Sequence, residues 1–406
     1  MISVAEARTR IVAAAGAPLA TETVPLAECA GRTLARDLVA MRTQPPFAAS
    51  AMDGWAVRAA DVASAPVELR VVGTSAAGRR FAGTLGAGEA VRIFTGAPVP
   101  EGADTIVVQE NAEALDEGHV RIREGAAAGR FVRPRGLDFE EGDVLVPAGR
   151  SLDARSLALA AAMNHPALPV RRRPIVAVIA TGDELVMPGE TPGPDQIVAS
   201  NLFAIEALVA AAGGEPVSLG IARDTKDAIR EKLAAARAAQ ADVIVTLGGA
   251  SVGAHDLVQE TLREAGMRLG FWKIAMRPGK PLMHGTLDGT LFLGLPGNPV
   301  SSLVCALLFL RPAIRALVGD PHADGLATEW AVLGAPLPEN DGREDYVRAT
   351  LAPRPGALPE VTPAPIQDSS MLGILARADA LIVRPVKAPA LERGEVVEIV
   401  RLDGVM

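Results

Sequence analysis

The sequence predicts a multidomain α/β protein with additional β domains, and three observations support this fold class. The chain has 406 residues, which at about 150 residues per domain allows two to four domains. Between residues 173 and 320, apolar runs alternate with amphipathic helices, a pattern typical of a mostly parallel sheet in a three-layer α/β domain. The flanking regions contain short extended runs separated by glycine- or proline-rich turns, which indicates β structure.

The part of the chain before residue 173 divides into two regions. Residues 1–40 together with 139–172 are expected to form a helical and extended N-terminal domain. Its first helix carries Val4, Ala7 and Ile11 at helical spacing, and a second helix is predicted over 153–163. Residues 41–138 are predicted to form a small β module inserted into this domain, with strands over 67–72, 89–94 and 105–109.

Residues 173–320 are predicted to form the central α/β domain, and residues 321–406 a C-terminal, barrel-like β domain. In the central domain, Ser200 or Asn201 is the expected cap of the first helix. The last helix is expected to start at Val300 and to stop at Arg311-Pro312. The predicted strands are 174–180, 216–221 and 242–247, and the other predicted helices are 202–212, 226–239 and 257–265.

Composition excludes several classes of partner. Forty Lys and Arg against 48 Asp and Glu give a net charge of −8, and aromatic residues make up 3% of the chain. Both values argue against nucleic-acid binding. No apolar stretch is expected to span a membrane as a helix, and residues 1–10 carry charges where a signal peptide needs an apolar core. Cys29 and Cys305 match no metal spacing and suit a reducing compartment, so we expect a cytoplasmic protein.

Polar loops follow the predicted parallel strands, at the sheet edge where ligands of such folds bind. One loop contains Gly248 and Gly249, which allow close approach of a ligand to the backbone, and another contains Pro296 and Pro299 before a helix. Carboxylates on neighbouring loops would repel a bare anion. They favour a Mg²⁺ ion between protein and phosphate oxygens, with Glu184, Asp224 and Asp256 as ligands.

Each of these loops also has a purely structural interpretation. Asp256 followed by Gln259 is a good capping box, and Asp224 before Thr225 could equally cap a helix. Asn298-Pro299 is a typical cap with proline at the first helical position. The two interpretations stay open at this point, although capping alone does not require the run Gly248-Gly-Ala-Ser-Val-Gly253.

A second group of residues offers positive charge. Lys273, Arg277 and Lys280 lie in or beside Arg277-Pro-Gly-Lys-Pro281, where prolines fix the turn, and they can converge on an oxyanion. A solvated turn is the alternative. In the inserted module, the candidates at turns and strand ends are Asp53, Thr95, Arg133 and Asp138, and ordinary hairpin turns would also explain them.

Taken together, the motifs resemble the molybdopterin molybdenumtransferase family, of the MoeA or gephyrin E-domain type. The resemblance covers essentially the whole chain in the family's order. It rests on Ser50-Ala-Met-Asp-Gly-Trp55, Phe94-Thr-Gly-Ala-Pro98, Ala180-Thr-Gly-Asp-Glu-Leu185, Gly248-Gly-Ala-Ser-Val-Gly253, Arg277-Pro-Gly-Lys-Pro281 and Leu295-Pro-Gly-Asn-Pro-Val-Ser301. The chain differs from the family pattern at Ala48-Ala49, at Ala250 and at Arg277, where the family usually has Asp-Asn, Val and Lys.

The resemblance implies a four-domain homodimer that inserts molybdenum from molybdate into adenylyl-molybdopterin and releases AMP with the help of Mg²⁺. The N-terminal domain would then serve in dimerisation. Ser251 and Asp256 match residues close to the insertion chemistry, and Asp53, Thr95, Arg133 and Asp138 match a cluster reached across the dimer. Residues suited to molybdate capture are Arg277, Lys280, Ser301, Arg348 and Ser369.

Two other functions remain open from the sequence. The α/β domain also looks like the enzyme that adenylylates molybdopterin with ATP, which is itself a possible partner of this chain. The gephyrin-like architecture would also permit a dimeric scaffold. The inserted module and the C-terminal domain favour the molybdenum-inserting step over adenylylation, and the oxyanion loop argues against a pure scaffold.

Overall fold

The computed structural model describes residues 1–116, 118–249 and 257–404. The helices predicted from the sequence begin and end close to the observed positions, except for the last helix of the central domain. Short 3₁₀ turns occur at Leu26–Glu28, Ala59–Val62 and Gln109–Asn111. The α-helices are α1 (Val4–Ala15), α2 (Ala154–Ala162), α3 (Ser200–Ala211), α4 (Lys226–Ala238), α5 (Leu257–Glu264), α6 (Pro299–Cys305), α7 (Arg311–Leu317) and α8 (Leu372–Leu375).

The strands form one large sheet in each of three regions, together with several two-stranded pairs. In chain order they are β1 (Thr21–Pro25), β2 (Leu38–Val39), β3 (Ala49–Ser50), β4 (Gly54–Val57), β5 (Val67–Ser75), β6 (Glu89–Ile93), β7 (Thr105–Val108), β8 (Ala112–Asp116), β9 (His119–Ile122), β10 (Val132–Arg133), β11 (Val144–Val146), β12 (Ala167–Arg171), β13 (Ile175–Thr181), β14 (Leu185–Val186), β15 (Ile197–Val198), β16 (Glu215–Ala222), β17 (Val243–Leu247), β18 (Arg268–Lys273), β19 (Met276–Arg277), β20 (Pro281–Leu287), β21 (Thr290–Leu295), β22 (Glu329–Leu333), β23 (Glu344–Ala352), β24 (Glu360–Pro363), β25 (Ala380–Arg384) and β26 (Val396–Arg401).

The central domain is a three-layer α/β unit, which confirms the predicted fold class. Its sheet has the order β16-β13-β17-β21-β20-β18. The first four strands are parallel to one another, and β20 runs antiparallel to both of its neighbours, β21 and β18. The inner parallel strands β13, β17 and β21 are buried along almost their whole length because both faces of the sheet are covered. One face packs on α3, α6 and α7, and the other on α4 and α5.

Helix α1 packs on the central domain, although the sequence groups it with the N-terminal region. Ser3 caps the helix by accepting the Glu6 N–H, and Val4, Ala7 and Ile11 form its buried stripe. This stripe joins the same core cluster as the central strands and α7. The periodicity predicted the buried face correctly, but it could not show which domain that face contacts.

The predicted end of the last central helix at Arg311-Pro312 is wrong. A continuous helical stretch runs from α6 through a π-helical segment, Ala306–Leu310, into α7. Pro312 has no N–H to donate, and the wider turn before it, in which the Arg311 N–H reaches the Ala306 carbonyl, accommodates the proline. Among the described residues this stretch, Pro299–Leu317, is long and apolar enough to cross a bilayer, but 83% of it is buried within the protein, as in a core helix.

The N-terminal part and the inserted module have separate cores. Strand β1 pairs with β12 and β2 with β11, and one apolar cluster combines residues before and after the module. The module itself contains a six-stranded sheet in the order β7-β4-β6-β5-β9-β8, with a cluster on each face. The exact domain boundaries remain a prediction.

The C-terminal domain is a closed five-stranded barrel. Strands follow the order β23-β24-β22-β26-β25, and β25 pairs again with β23 to close it. Strand β19, which belongs to the Arg277-Pro-Gly-Lys-Pro281 loop, adds to the edge of β23 with Arg277 opposite Asp345. The barrel therefore anchors a loop of the central domain.

Candidate active site

A cavity of about 1150 Å³ opens at the carboxyl ends of the parallel strands. It lies where the predicted polar loops of the central domain meet two segments from the C-terminal domain. Predicted site residues that line it are Glu184, Asp224, Gly248, Gly249, Arg277, Lys280, Pro296, Pro299, Ser301 and Ser369. The structure thus brings together loops from separate strands that are distant in the sequence.

Part of the cavity lining is acidic: Glu184 and Asp224 line it, and Asp183 lies next to Asp224. We call these three residues the acidic wall. Thr225 caps α4 by accepting the Ala228 N–H at 3.2 Å, so Asp224 is not the cap and points to another role. Burial raises the pKa of the Asp224 carboxyl, and the charges of Asp183 and Glu184 raise it further. The wall therefore holds negative charge that its own neighbours do not compensate.

The backbone fixes the acidic wall in place. Gly182 has a φ of +146°, which residues with a side chain rarely adopt, and a Cβ there would lie 2.4 Å from Glu184 Oε2 and would displace that carboxylate. The Arg223 guanidinium donates to the carbonyls of Asp183 at 2.8 Å and Leu185 at 3.2 Å. The Asp224 N–H donates to the Asp183 carboxylate at 3.1 Å.

The chemistry of this wall fits a hard divalent cation. Carboxylate oxygens are the ligands that Mg²⁺ prefers. Burial and neighbouring negative charges raise the pKa of Asp224, so a nearby cation would stabilise its ionised form. Among the described residues, no group of three His, Cys, Asp or Glu side chains has the arrangement of a complete metal site. The third predicted ligand, Asp256, lies outside the described residues, as does Ser251.

Three cationic residues also line the cavity, and we call Arg277, Lys280 and Arg343 the basic wall. The Arg277 guanidinium is already paired: its Nε donates to Asp345 Oδ1 at 3.0 Å and its Nη2 contacts Asp345 Oδ2. Arg343 pairs with Asp341 at 2.7 Å. Lys280 is exposed and forms no ion pair with any residue that the structure describes. It is the free cation of this wall.

Two predicted oxyanion ligands do not line the cavity. Lys273 lies outside it, with its ammonium 5.2 Å from the Trp272 ring centroid. Arg348 is 1% exposed and donates to Gln367 Oε1 at 3.2 Å and to the Asp368 carbonyl at 2.7 Å. Direct capture of molybdate by Arg348 does not fit this burial. Arg348 instead supports the loop that carries Ser369.

The Ser369 loop is attached to the start of α6. Asn298 occupies the cap position before Pro299, but its side chain makes no capping bond; its Nδ2 donates to Ser369 Oγ at 2.8 Å. The Val300 N–H donates to the Ser369 carbonyl at 3.1 Å. Two serines, Ser301 and Ser369, thereby line the same cavity.

Two glycines shape the floor of the cavity. Gly248 has a φ of +98°, and a Cβ there would lie 2.9 Å from the Thr181 carbonyl oxygen. Gly249, with a φ of +64°, would place a Cβ 2.3 Å from a Val258 methyl group. Side chains at either position would fill the space between neighbouring strand ends, which explains the glycines at this close approach.

The predicted residues of the inserted module lie elsewhere. Asp53 Oδ1 accepts the N–H and the hydroxyl of Thr95, both at 2.7 Å, and these bonds hold the pKa of Asp53 below its usual value. Arg133 lies on β10, opposite Ala49 of β3, and Asp138 is exposed beside the Gln44–Phe139 bridge. The structure pairs Asp53 with Thr95, and neither these two nor Arg133 and Asp138 line the central cavity.

The sequence analysis missed several residues that shape the site. Asp183 stands within Thr181-Gly-Asp-Glu184, and its adjacency to Glu184 was the available signal. Asn201 does not cap α3, whose cap position is Ala199; its Nδ2 donates to the Gly297 carbonyl at 2.7 Å. Asp345, Arg343 and Gln367 come from the C-terminal domain, and no local pattern connects them with the central loops.

Three family models match the chain. They are the MoeA N-terminal region (domain I and II) over residues 2–164, the probable molybdopterin binding domain over 177–316 and the MoeA C-terminal region (domain IV) over 331–402.

Curated relatives and solved structures agree with these matches. The molybdopterin molybdenumtransferase of Nostoc sp. is 37% identical over 94% of this chain and 89% of its own length. That of Haemophilus influenzae is 34% identical over 98% of both chains. A crystal structure of the molybdopterin biosynthesis MoeA protein from Pyrococcus horikoshii superposes with a TM-score of 0.83, 31% identity and 99% coverage of both chains.

Proposed function

This chain belongs to the molybdopterin molybdenumtransferase (MoeA) family, and we propose that it inserts molybdenum from molybdate into adenylyl-molybdopterin and releases AMP. The curated relatives are named as transferases, and this chain matches them over nearly their whole length. The adenylylated form of the substrate and the release of AMP are part of our proposal.

The observation that carries the proposal is that both walls line one cavity. Lys280 supplies a free positive charge, and the acidic wall supplies uncompensated carboxylates. A substrate pair of one oxyanion and one metal-bound phosphoanhydride would satisfy both. A single neutral ligand would leave the charges of both walls unmatched.

The basic side suits molybdate, a tetrahedral dianion. Lys280 can approach it as a point charge, and the Ser301 and Ser369 hydroxyls can donate hydrogen bonds to its oxygens. Arg277 lines the same cavity, but because Asp345 holds its guanidinium we assign it to shaping the loop rather than to carrying the anion. The sulfurs of the pterin substrate would hold the molybdenum product, so a cysteine ligand from the protein is not needed.

The acidic side would hold Mg²⁺ through Glu184 and Asp224, and we propose that Asp256 and Ser251 complete this side. When bound, the ion would polarise the phosphoanhydride that joins AMP to molybdopterin. The chain's own contribution is to orient these carboxylates, since Gly182 and Arg223 fix the loop that bears them.

We further propose that the enzyme is a cytoplasmic homodimer that uses the inserted module of one subunit against the cavity of the other. Asp53, Thr95, Arg133 and Asp138 do not reach the cavity of their own chain, so a second subunit is the natural acceptor for them. The enzyme that adenylylates molybdopterin would supply the substrate and is a candidate partner.

The direct test is AMP release by the purified full chain from adenylyl-molybdopterin, with and without molybdate and Mg²⁺. We expect release that requires both. Absence of release with all components present would overturn the proposal. Consumption of ATP with unmodified molybdopterin would support the adenylyltransferase instead, and peptide binding with neither activity would support a scaffold.

A further inference from the structure

A second cavity, of about 460 Å³, lies between α7 and the C-terminal barrel. Arg311 and Arg315 of α7 line one side, and Glu329 and Arg401 of the barrel line another. Leu326 and Val400 contribute apolar surface. Arg311 is twelve residues after Pro299 along one continuous helix, so it lies about 18 Å from the active-site end of that helix. The two cavities are therefore separate.

Most charges in this second cavity are compensated within the protein. Arg315 Nε donates to Asp320 Oδ2 at 2.7 Å, and Arg401 Nε donates to Glu329 Oε2 at 2.8 Å. Arg311 differs, because it is half-buried and its guanidinium makes no hydrogen bond or ion pair with any residue in the described ranges. Asp403 lines the cavity as well, but it is exposed to solvent.

The position of Arg311 is unfavourable without a ligand. It lies four residues before Arg315 on the same helix face, where like charges repel. Burial and the charge of Arg315 lower the pKa of the Arg311 guanidinium, and the charge of Asp320 opposes this. A half-buried guanidinium in such surroundings gains from an added anion.

We propose that this cavity binds a small organic anion, whose carboxylate or phosphate group pairs with Arg311 and whose apolar body packs on Leu326 and Val400. A planar guanidinium binds either group through two parallel hydrogen bonds. Arg315 and His322, on the same cavity wall, add positive charge and a ring nitrogen near the anion. The site is independent of the proposed transferase function.

Isothermal titration calorimetry on the full chain tests this site. The probes are phenyl phosphate and benzoate, which share an apolar ring and differ in the anionic group. All proteins carry Lys280→Gln, which weakens anion binding in the active-site cavity. We expect this parent protein to bind at least one probe and Arg311→Gln to weaken that binding about tenfold or more.

Arg354→Gln is the matched control, because Arg354 is exposed on a barrel turn away from the cavity. We expect it to bind like the parent. The probe that binds more tightly identifies the anionic group. Since the Arg311 guanidinium has no described partner, Arg311→Gln should not lower the midpoint of thermal unfolding. No binding of either probe by the parent, equal binding by Arg311→Gln, or an equal loss with Arg354→Gln would overturn the proposal.

Discussion

The acidic and basic walls of the active-site cavity differ in how their charges are balanced. On the basic wall, Arg277 and Arg343 are each paired with an aspartate from the C-terminal domain, which leaves Lys280 free. On the acidic wall, burial raises the pKa of Asp224, and the neighbouring charges of Asp183 and Glu184 raise it further.

This difference distinguishes residues that bind ligands from residues that hold the loops in shape. A paired arginine gives a loop its shape, whereas an unpaired charge beside a cavity creates a demand for a ligand of opposite sign. The basic wall thus offers one position for an anion, and the acidic wall one for a cation. The following substitutions test this division of roles.

The largest effect is expected at the free cation. Lys280→Gln should lower kcat/KM for molybdate in AMP release by about 100-fold, since one charged donor to the reacting oxyanion is lost. Lys232→Gln on α4 is the control and should retain wild-type activity, because Lys232 lies outside the cavity. Equal activity of the two variants would show that Lys280 does not hold the anion.

The ion pair between Arg277 and Asp345 should instead contribute to the stability of the fold. Asp345 is 5% exposed. On β23 it lies between Arg277 of β19 and the buried Arg384, the residue opposite it on β25. Asp345→Asn should lower the free energy of unfolding by about 2 kcal/mol, less than for a fully buried pair because Arg277 is half-exposed. Asp341→Asn, at a solvent-exposed carboxylate, should cost clearly less than Asp345→Asn. Calorimetric unfolding measures both, and equal losses would contradict the shaping role of Asp345.

The buried His284 also makes stability depend on pH, and its effect must be distinguished from that of the acidic wall. Burial lowers the pKa of His284 to about 4, and neither ring nitrogen has a hydrogen-bond partner among the described residues. The unfolded chain therefore takes up the proton first, and stability falls as the pH drops below about 6.5. We expect a loss of about 2 kcal/mol between pH 7.5 and pH 5.

His284→Phe provides the control for that pH dependence. The ring can keep its stacking on Phe271, where the centroids are 4.8 Å apart, but it cannot titrate. Unfolding measured at both pH values should then show a smaller difference than in the wild type. An unchanged difference would assign the acid sensitivity to other groups.

The smallest effect is expected at Asp224. Its raised pKa means that the carboxylate destabilises the fold above that pKa, so Asp224→Asn should raise stability at pH 7.5 by a few tenths of a kcal/mol. Mg²⁺ should raise the thermal midpoint of the wild type and have less effect on the variant. A midpoint that Mg²⁺ raises equally in both proteins would contradict a cation site at Asp224.

The sequence predicted most of the fold because its signals are local. Apolar runs identified the parallel strands, and Gly213 and Gly266 lie just after α3 and α5, close to the predicted stops. The π-helical turn before Pro312 was not predictable from propensity, because the tertiary core stabilises the helix on both sides of it. The attachment of α1 to the central domain also depends on packing rather than on pattern.

The candidate site was predictable in its loops but not in its pairings. Strand ends indicated where Glu184 and Asp224 would meet, and the proline-rich turn indicated Lys280 as an oxyanion ligand. Which cation stays free depends on Asp345, a residue 68 positions away from Arg277 on a strand of another domain. The burial of Arg348 likewise follows from barrel closure, which no local spacing reveals.

The most direct measurement is a crystal of the full chain soaked with molybdate, AMP and Mg²⁺, with anomalous diffraction recorded at the molybdenum edge. Our account predicts a molybdenum peak within hydrogen-bonding reach of Lys280 Nζ and a Mg²⁺ ion at the Glu184 and Asp224 carboxylates. A molybdenum peak bound outside this cavity, or an AMP phosphate far from both walls, would contradict it.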